Sequence, residues 1–167
     1  MKGPIKLTIE LVPKTAWLTN VRSKVTAPEW DKIRKKCYKA AGYVCEICKD
    51  VGKNQGVRHD VECHEIWHYD DKEKTQTLTG LIALCPWCHK VKHAGLASVN
   101  GEMHIVIDQL MKVNSMSRSE AERYVDECFE QWQERSKHKW SLDIEYLDKY
   151  LTDQGQTSNR DSSSLSP

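Results

Sequence analysis

The sequence predicts an α+β fold in which a small zinc-stabilised core of two strands and one helix is flanked by further helices. The motif C-x-x-C occurs twice, at 45–48 and 85–88, and two such pairs in one short chain are typical of a zinc site. Between the pairs, 57–67 and 78–84 are rich in β-branched and apolar residues, which indicates two strands. Elsewhere apolar residues recur three and four positions apart, as they do in amphipathic helices.

The composition is that of one ordinary globular domain. The chain has 167 residues, of which 39% are hydrophobic and 29% are charged. No apolar run approaches the roughly 20 residues that would cross a bilayer, and the beginning of the chain, Met1 to Pro4, does not resemble a signal peptide. We therefore expect a soluble, cytoplasmic protein without a membrane partner, whose oligomeric state stays open.

Charge is unevenly distributed, although the formal net charge is only +1. Residues 1–48 contain ten Lys or Arg and four Asp or Glu, whereas 120–149 contain five Lys or Arg and nine Asp or Glu. A basic N-terminal part could contact phosphate groups. Solvated helix faces would explain the same pattern, so charge alone leaves both interpretations open.

The N-terminal region, 1–42, is predicted to pack a strand and a basic helix on the core. Apolar and polar residues alternate over 5–11, which indicates a half-buried strand. A helix should begin near Pro28, because proline suits a first helical turn, and should end at Gly42.

The core should span 43–97, with its helix running from Pro86 through His93 and ending at Gly95. A helical extension is expected over 98–152. Its predicted elements are a helix at 103–113, a helix at 118–137 opened by a Ser117–Glu120 capping box, and a short docking element at 140–151. Residues 153–167 are rich in Ser, Asp, Asn and Gln, and we expect them to be disordered.

Four cysteines are expected to hold one structural zinc ion. Two intervening residues let both thiolates of a C-x-x-C pair reach the same ion, and four thiolates leave no position for water. The predicted ligands are Cys45, Cys48, Cys85 and Cys88. The alternative is buried or redox-active cysteines, although a redox pair needs only one such motif. Cys37 and Cys128 lie on helical apolar stripes and are expected in the core.

A second group of ligand-type residues is interleaved with these cysteines. Cys63 and His64 lie on the first predicted strand, and His89 and His93 stand four apart on the predicted helix, so that both can bind one ion. A lone strand or helix histidine would more often be an ordinary packed residue, and it is the combined spacing that favours a metal role. The other four histidines, at positions 59, 68, 104 and 138, lack such a pattern and are expected on the surface.

Together these motifs resemble the HNH endonucleases of the ββα-metal fold, in the variety with four zinc-binding cysteines. The resemblance covers about 50 residues and rests on three runs. They are Cys45-x-x-Cys48, Glu62-Cys63-His64-Glu65, and Gly80-Leu81-Ile82-Ala83-Leu84-Cys85-Pro86-Trp87-Cys88-His89 followed by His93. It implies a metal-dependent endonuclease, a hydrolase of DNA phosphodiester bonds, in a bacterial or phage setting.

Carried over position by position, the resemblance gives His64 the role of general base. His89 and His93 would bind a second divalent ion, Mg²⁺, Mn²⁺, Ni²⁺ or Zn²⁺, which would polarise the phosphate. DNA would be the partner, and Lys90 and Lys92 are candidates for contacts with its phosphates.

Two positions depart from the family pattern. Cys63 stands where an Asp or His usually binds the metal; a thiolate could still ligate a softer ion, or Glu62, Glu65 or Asp70 could supply an oxygen. Gly80 falls at or near the place of the family's Asn, with Thr79 beside it. Because of these departures, a non-catalytic zinc module that binds nucleic acid or protein is a second hypothesis. A redox-responsive zinc protein is a third hypothesis.

Overall fold

The computed structural model describes residues 3–17 and 20–152. This part of the chain has a mixed α+β fold with a three-stranded sheet. The strands and α-helices are α1 (Ala27–Ala40), β1 (Glu62–Asp70), β2 (Thr75–Leu84), α2 (Pro86–Lys92), α3 (Ala94–Val99), α4 (Met103–Asn114), α5 (Arg118–Arg135), β3 (Ser141–Asp143) and α6 (Asp148–Thr152). The tail predicted to be disordered, 153–167, lies outside the described residues.

The centre of the sheet is an antiparallel hairpin of β1 and β2, which confirms the two predicted strands. Its register places Glu62 opposite Leu84 and Asp70 opposite Thr75, with an irregularity after Ile66. β1 starts later than predicted, since 57–61 are loop. β3 adds in parallel to the other edge of β2, so the predicted docking element at 140–151 includes a short strand.

Different helices cover the two faces of the hairpin. α1 packs on one face, where Ile33 and Cys37 join Leu78 and Ala83 in two small clusters. The larger core lies on the other side and combines the end of β2 with α2, α3, α4, α5 and the N-terminal segment. Because side chains alternate across a strand, neighbouring residues of β2 belong to different cores: Ala83 lies on the α1 side and Leu84 in the larger core. Among the described residues, no helix is both long and apolar enough to cross a membrane.

Capping groups define where the longest helices begin. Thr26 and Glu29 form a capping box on α1, and Ser117 and Glu120 form the predicted one on α5. The helix that begins within the second C-x-x-C pair, α2, ends differently from the prediction. Its backbone breaks at His93 and continues as α3, so Gly95 lies inside a helix and does not terminate one.

The N-terminal segment 5–11 does not form the strand that its alternation predicted, and residues 6–7 lie in a bend. Leu7 and Ile9 are buried, as the pattern requires. Their backbone groups bond to helix side chains: Asn114 accepts from Leu7 N at 2.9 Å and donates to Leu7 O at 2.9 Å, and Tyr124 Oη accepts from Ile9 N at 3.1 Å. Alternation of apolar and polar residues indicates which side chains are buried, but not which groups bond to the backbone. Here side chains of two helices supply the hydrogen-bond partners that a neighbouring strand would otherwise provide.

Replacing Asn114 with alanine should loosen this segment, because the buried amide of Leu7 would lose its acceptor. We expect a loss of about 1–3 kcal/mol in the free energy of unfolding, measured by urea denaturation. Asn100→Ala, an exposed position at the end of α3, is the matched control and should change little. Equal stability of the two variants would contradict the proposed role of Asn114.

Candidate metal centre

The four predicted zinc ligands come together in one cluster. One Sγ atom from each of Cys45, Cys48, Cys85 and Cys88 lies within 4.8 Å of the others, and the Sγ atoms of Cys48 and Cys85 are 3.5 Å apart. None of the seven cysteines is in a disulfide. Zn–S bonds of about 2.3 Å in a tetrahedron place sulfur atoms about 3.8 Å apart, so these four residues fit a zinc ion.

Local backbone hydrogen bonds hold one sulfur of each C-x-x-C pair. Cys45 lies in the turn after α1, and Cys85 caps the N-terminus of α2. The backbone N–H of Cys48 donates to Cys45 Sγ and that of Cys88 donates to Cys85 Sγ, both at 3.5 Å. Such donors favour the thiolate form, which is the form that binds metal.

Two polar side chains that the motif did not predict tie the cluster to its surroundings. Gln109, buried in α4, donates to Cys88 Sγ at 3.1 Å. Glu46, inside the first C-x-x-C pair, accepts from Ala83 N at 2.7 Å and donates its own N–H to Ala83 O at 3.0 Å. The sulfur cluster therefore joins the turn after α1, the end of β2, the start of α2 and the middle of α4.

The three predicted histidines form a second cluster beside the first. One ring nitrogen from each of His64, His89 and His93 lies within 4.8 Å of the other two, and the Nε2 atoms of His89 and His93 are 3.0 Å apart. The i, i+4 spacing on α2 brings two rings together, and β1 contributes the third. His64 is only 6% exposed while His93 is exposed, so the cluster is closed on one side and open to solvent on the other.

The protein around the cluster keeps the rings of His64 and His93 uncharged near neutral pH, although His93 lies on the open side of the cluster. Desolvation holds the pKa of His64 below its ordinary value, and desolvation together with His89 lowers that of His93 to about 4. A neutral imidazole has a free nitrogen lone pair, so these rings are in the form that can ligate a metal or accept a proton.

Glu10, a residue that sequence reasoning missed, is the closest partner of His64. Its Oε2 lies 2.8 Å from His64 Nε2, and its Oε1 accepts from Lys92 Nζ at 3.2 Å. Burial raises the pKa of Glu10, but the hydrogen bond from His64 and the charge of Lys92 outweigh it and leave the pKa below its ordinary value. Glu10 comes from the N-terminal segment, and nothing in the sequence pattern links that segment to His64.

The position of Lys92 corrects one prediction. Lys92 is 5% exposed, and its ammonium group also donates to Thr8 Oγ1 at 2.7 Å. It is therefore part of a buried ion pair and cannot serve as the surface phosphate contact that was expected. Lys90 is partly exposed and pairs with Glu102 at 2.7 Å, so its contact with phosphate stays a prediction.

Glu62 holds a histidine on each of its two oxygens. Its Oε2 lies 2.7 Å from Nδ1 of His89, and its Oε1 lies 3.1 Å from Nε2 of His59. The hydrogen bond with His89 lowers the pKa of Glu62, so the carboxylate is ionised. A carboxylate on Nδ1 fixes the tautomer whose Nε2 is free to face the cluster, as in many metal sites. His59, expected to be an ordinary surface residue, is thus linked to the cluster.

Cys63, expected as a possible ligand of the second ion, is not part of the histidine cluster. It follows the alternation of β1 to the opposite face and packs near Cys37 and Ala83 beneath α1. Neither of two other suggested oxygen donors joins the histidines. Glu65 accepts from Trp67 Nε1 at 3.2 Å, and Asp70 accepts from backbone amides in the hairpin turn.

Comparisons with protein-family models, with curated proteins and with solved structures found no match to this chain. Two features of the chain itself bear on its function. The first is a buried set of four sulfurs that leaves no open coordination position. The second is a set of three imidazoles that opens to solvent, and so can hold an ion that also binds another molecule.

Replacing Cys88 with serine should unfold the core, because structural zinc contributes of the order of 10 kcal/mol to the folding of small zinc domains. We expect the variant to lose its tightly bound zinc, measured by elemental analysis, together with its cooperative thermal transition. Cys128→Ser, a half-buried cysteine of α5 outside the cluster, is the control and should keep the metal. If Cys88→Ser melts like the wild type with its zinc retained, the assignment of the four sulfurs is wrong.

Proposed function

We propose that this protein is a metal-dependent endonuclease of the HNH type, which hydrolyses phosphodiester bonds of DNA. The observation that carries the proposal is the open cluster of His64, His89 and His93 between a β-hairpin and the helix that follows it. This order of two strands and a helix is that of a ββα-metal core. The sulfur cluster at the start of the helix supports the same interpretation, because it holds the helix against the hairpin.

In this proposal His89 and His93 hold the second ion, and Glu62 orients His89 from behind through Nδ1. A divalent ion bound there would supply Lewis-acid polarisation of the scissile phosphate and stabilise the leaving oxygen. The donor set is rich in nitrogen and lacks a described carboxylate ligand, which favours Mn²⁺, Ni²⁺ or Zn²⁺ over Mg²⁺.

His64 is the proposed general base. Glu10 accepts a hydrogen bond from its Nε2, which leaves Nδ1 with the lone pair that can take a proton from the attacking water. A base whose second nitrogen is held by a carboxylate is a recurring arrangement in hydrolytic sites. Burial keeps the ring uncharged, which is the state that a base requires.

Gly80 stands at or near the place of the family's Asn, and a Cβ there would lie 3.4 Å from Ile66 Cδ1, at the close end of ordinary contact distances. The hydroxyl of Thr79 donates to Ile66 O at 3.2 Å, at the irregularity of β1 two residues beyond His64. This bond supports the view that Thr79 steadies the strand that carries the base.

DNA would approach the exposed side of the cluster, where His93 meets solvent. Exposed Arg58 and partly exposed Lys90 lie close in sequence to cluster residues and are the cationic candidates for phosphate contacts. The basic helix α1 packs on the other face of the hairpin. Any contact it makes with DNA would therefore be separate from the site of cleavage.

The low exposure of His64 favours a second candidate, a non-catalytic zinc module that binds nucleic acid or protein. A base that is almost completely covered needs substrate or water to enter from the His93 side. Without such entry the histidines would serve only to bind a metal. The two candidates differ in one respect that is simple to measure, the cleavage of DNA.

We expect the purified protein to nick supercoiled plasmid with Mn²⁺, Ni²⁺ or Zn²⁺ and to lose this activity in EDTA. His64→Ala should lower the rate by about 100-fold or more, because a general base contributes about 10²–10⁴-fold. The variant should still bind the second ion in calorimetry, since His89 and His93 remain.

His104→Ala, an exposed histidine of α4, is the control and should cleave at the wild-type rate. A wild-type protein that retards DNA on a gel but cleaves none with any of these ions would establish the non-catalytic module. A His64→Ala variant that no longer binds the ion would make His64 a ligand and not the base.

A further inference from the structure

We propose that a cavity beside the histidine cluster binds an uncharged nucleobase, either free as a nucleoside or unpaired in a strand of DNA. The cavity has a volume of about 310 Å³ and lies between the N-terminal segment, the end of β1 and the last two turns of α5. This volume is at the lower end of the range of about 300–1,000 Å³ that small-molecule sites span. The inference goes beyond phosphodiester cleavage, because it assigns a ligand to a part of the molecule that holds none of the proposed metal ligands.

The aromatic walls of the cavity are held in place before any ligand binds. On the side of β1, the guanidinium group of Arg135 lies over the ring of Tyr69, with Cζ 4.8 Å from the ring centre. On the side of α5, Trp132 donates from Nε1 to Val12 O at 2.9 Å, and Lys14 Nζ lies 5.0 Å from the centre of the Trp132 ring. Flat groups of this kind are the surfaces on which nucleobases stack, and fixing them in advance lowers the entropic cost of binding.

The charges that line the cavity favour an uncharged ligand. Arg135 binds the carboxylate of Asp71 through Nε at 2.8 Å and Nη2 at 2.7 Å. Glu10, in the opposite wall, accepts a hydrogen bond from Lys92 Nζ at 3.2 Å. A phosphate group would therefore find no free guanidinium or ammonium group among the described residues that line the cavity, whereas a neutral base needs none.

Groups that can form hydrogen bonds with the edge of a base also line the cavity. Within the described residues, the backbone N–H and C=O groups of Glu10 and Leu11 make no hydrogen bond. The side chains of Gln131 and His68 belong to exposed residues in the walls formed by α5 and β1. These groups include donors and acceptors, as does the edge of every nucleobase, so they can bond to a base whose faces are stacked.

Glu10 joins the cavity to the histidine cluster. It lines the cavity, and its Oε2 lies 2.8 Å from Nε2 of His64. A base in the cavity would therefore lie beside the carboxylate that bonds to His64, without contact to a metal ion or to the phosphate that is cleaved. Binding in the cavity and cleavage of DNA are separate events that share one residue, and each can be measured without the other.

Titration of the protein with deoxynucleosides tests the proposal, and the indole N–H signal of Trp132 in ¹⁵N NMR spectra is the probe. The protein would carry one equivalent of zinc, so that no ion at the histidines binds the base. We expect the Trp132 signal to shift with at least one of the four deoxynucleosides and to stay unchanged with deoxyribose 5-phosphate, which lacks a base.

A pair of glutamine variants shows whether the base binds in this cavity. Gln131→Ala should weaken the affinity by about three- to tenfold, because it removes a side chain that bonds to the base. Gln133→Ala, an exposed glutamine of the same helix outside the cavity, is the matched control and should bind like the wild type. Equal affinities of the two variants, or a Trp132 signal that no deoxynucleoside shifts, would overturn the proposal.

Competition with a single-stranded oligonucleotide identifies the source of the base. Displacement of the deoxynucleoside would assign the cavity to an unpaired base of DNA, and a deoxynucleoside that stays bound would assign it to a free nucleoside. None of these measurements involves cleavage. A protein that cuts no DNA but binds a base as described would therefore overturn the proposed function and leave this inference standing.

Discussion

The convergence of four sulfurs on one point is the constraint on which the rest of the structure depends. α2 has only seven residues, far fewer than an isolated helix needs to be stable in water. Its first turn is nevertheless fixed, because Cys85 caps it, Cys88 lies within it, and Gln109 of α4 contacts the same cluster. His89 directly follows this anchored turn and His93 stands one turn further on. Loss of the sulfur cluster would therefore disperse the histidines as well.

A buried network of charged and polar side chains holds the part of the site around His64. Glu10, Lys92, Thr8 and His64 bond to one another in a region that is largely closed to solvent. Charges are costly to bury unless they are paired, so removal of one partner would leave an unpaired buried charge and lower the free energy of unfolding. Because Glu10 and Thr8 belong to the N-terminal segment, that segment completes the site as well as the core. The hydrogen bonds between Asn114 and the backbone of Leu7 therefore also matter for the site, since they hold the N-terminal segment that positions His64.

Sequence patterns predicted the parts of the site that follow from short spacings. Two residues between cysteines and three between histidines fix which side chains can share an ion; the four cysteines and the histidines lie together, but Cys63 does not join the second cluster. Long-range pairings could not be predicted: Glu10 meets His64 across 54 positions, and no local periodicity reports such a contact. Alternation of side chains along a strand predicts that Cys63 and His64 lie on opposite faces of the sheet. The family resemblance instead predicted that both residues would face the metal. The burial of Lys92 could not be predicted from the sequence, because lysines are seldom buried unless paired and its partner Glu10 lies 82 positions away.

We propose that this chain holds a closed sulfur site and an open imidazole site for two metal ions. X-ray absorption spectroscopy at the zinc edge, on protein loaded first with one and then with two equivalents of zinc, tests it most directly. The first equivalent should be surrounded by four sulfurs at about 2.3 Å, and the second should add nitrogen or oxygen neighbours at about 2.0–2.1 Å. A first equivalent bound by nitrogen and oxygen, or sulfur neighbours fewer than four, would contradict the account.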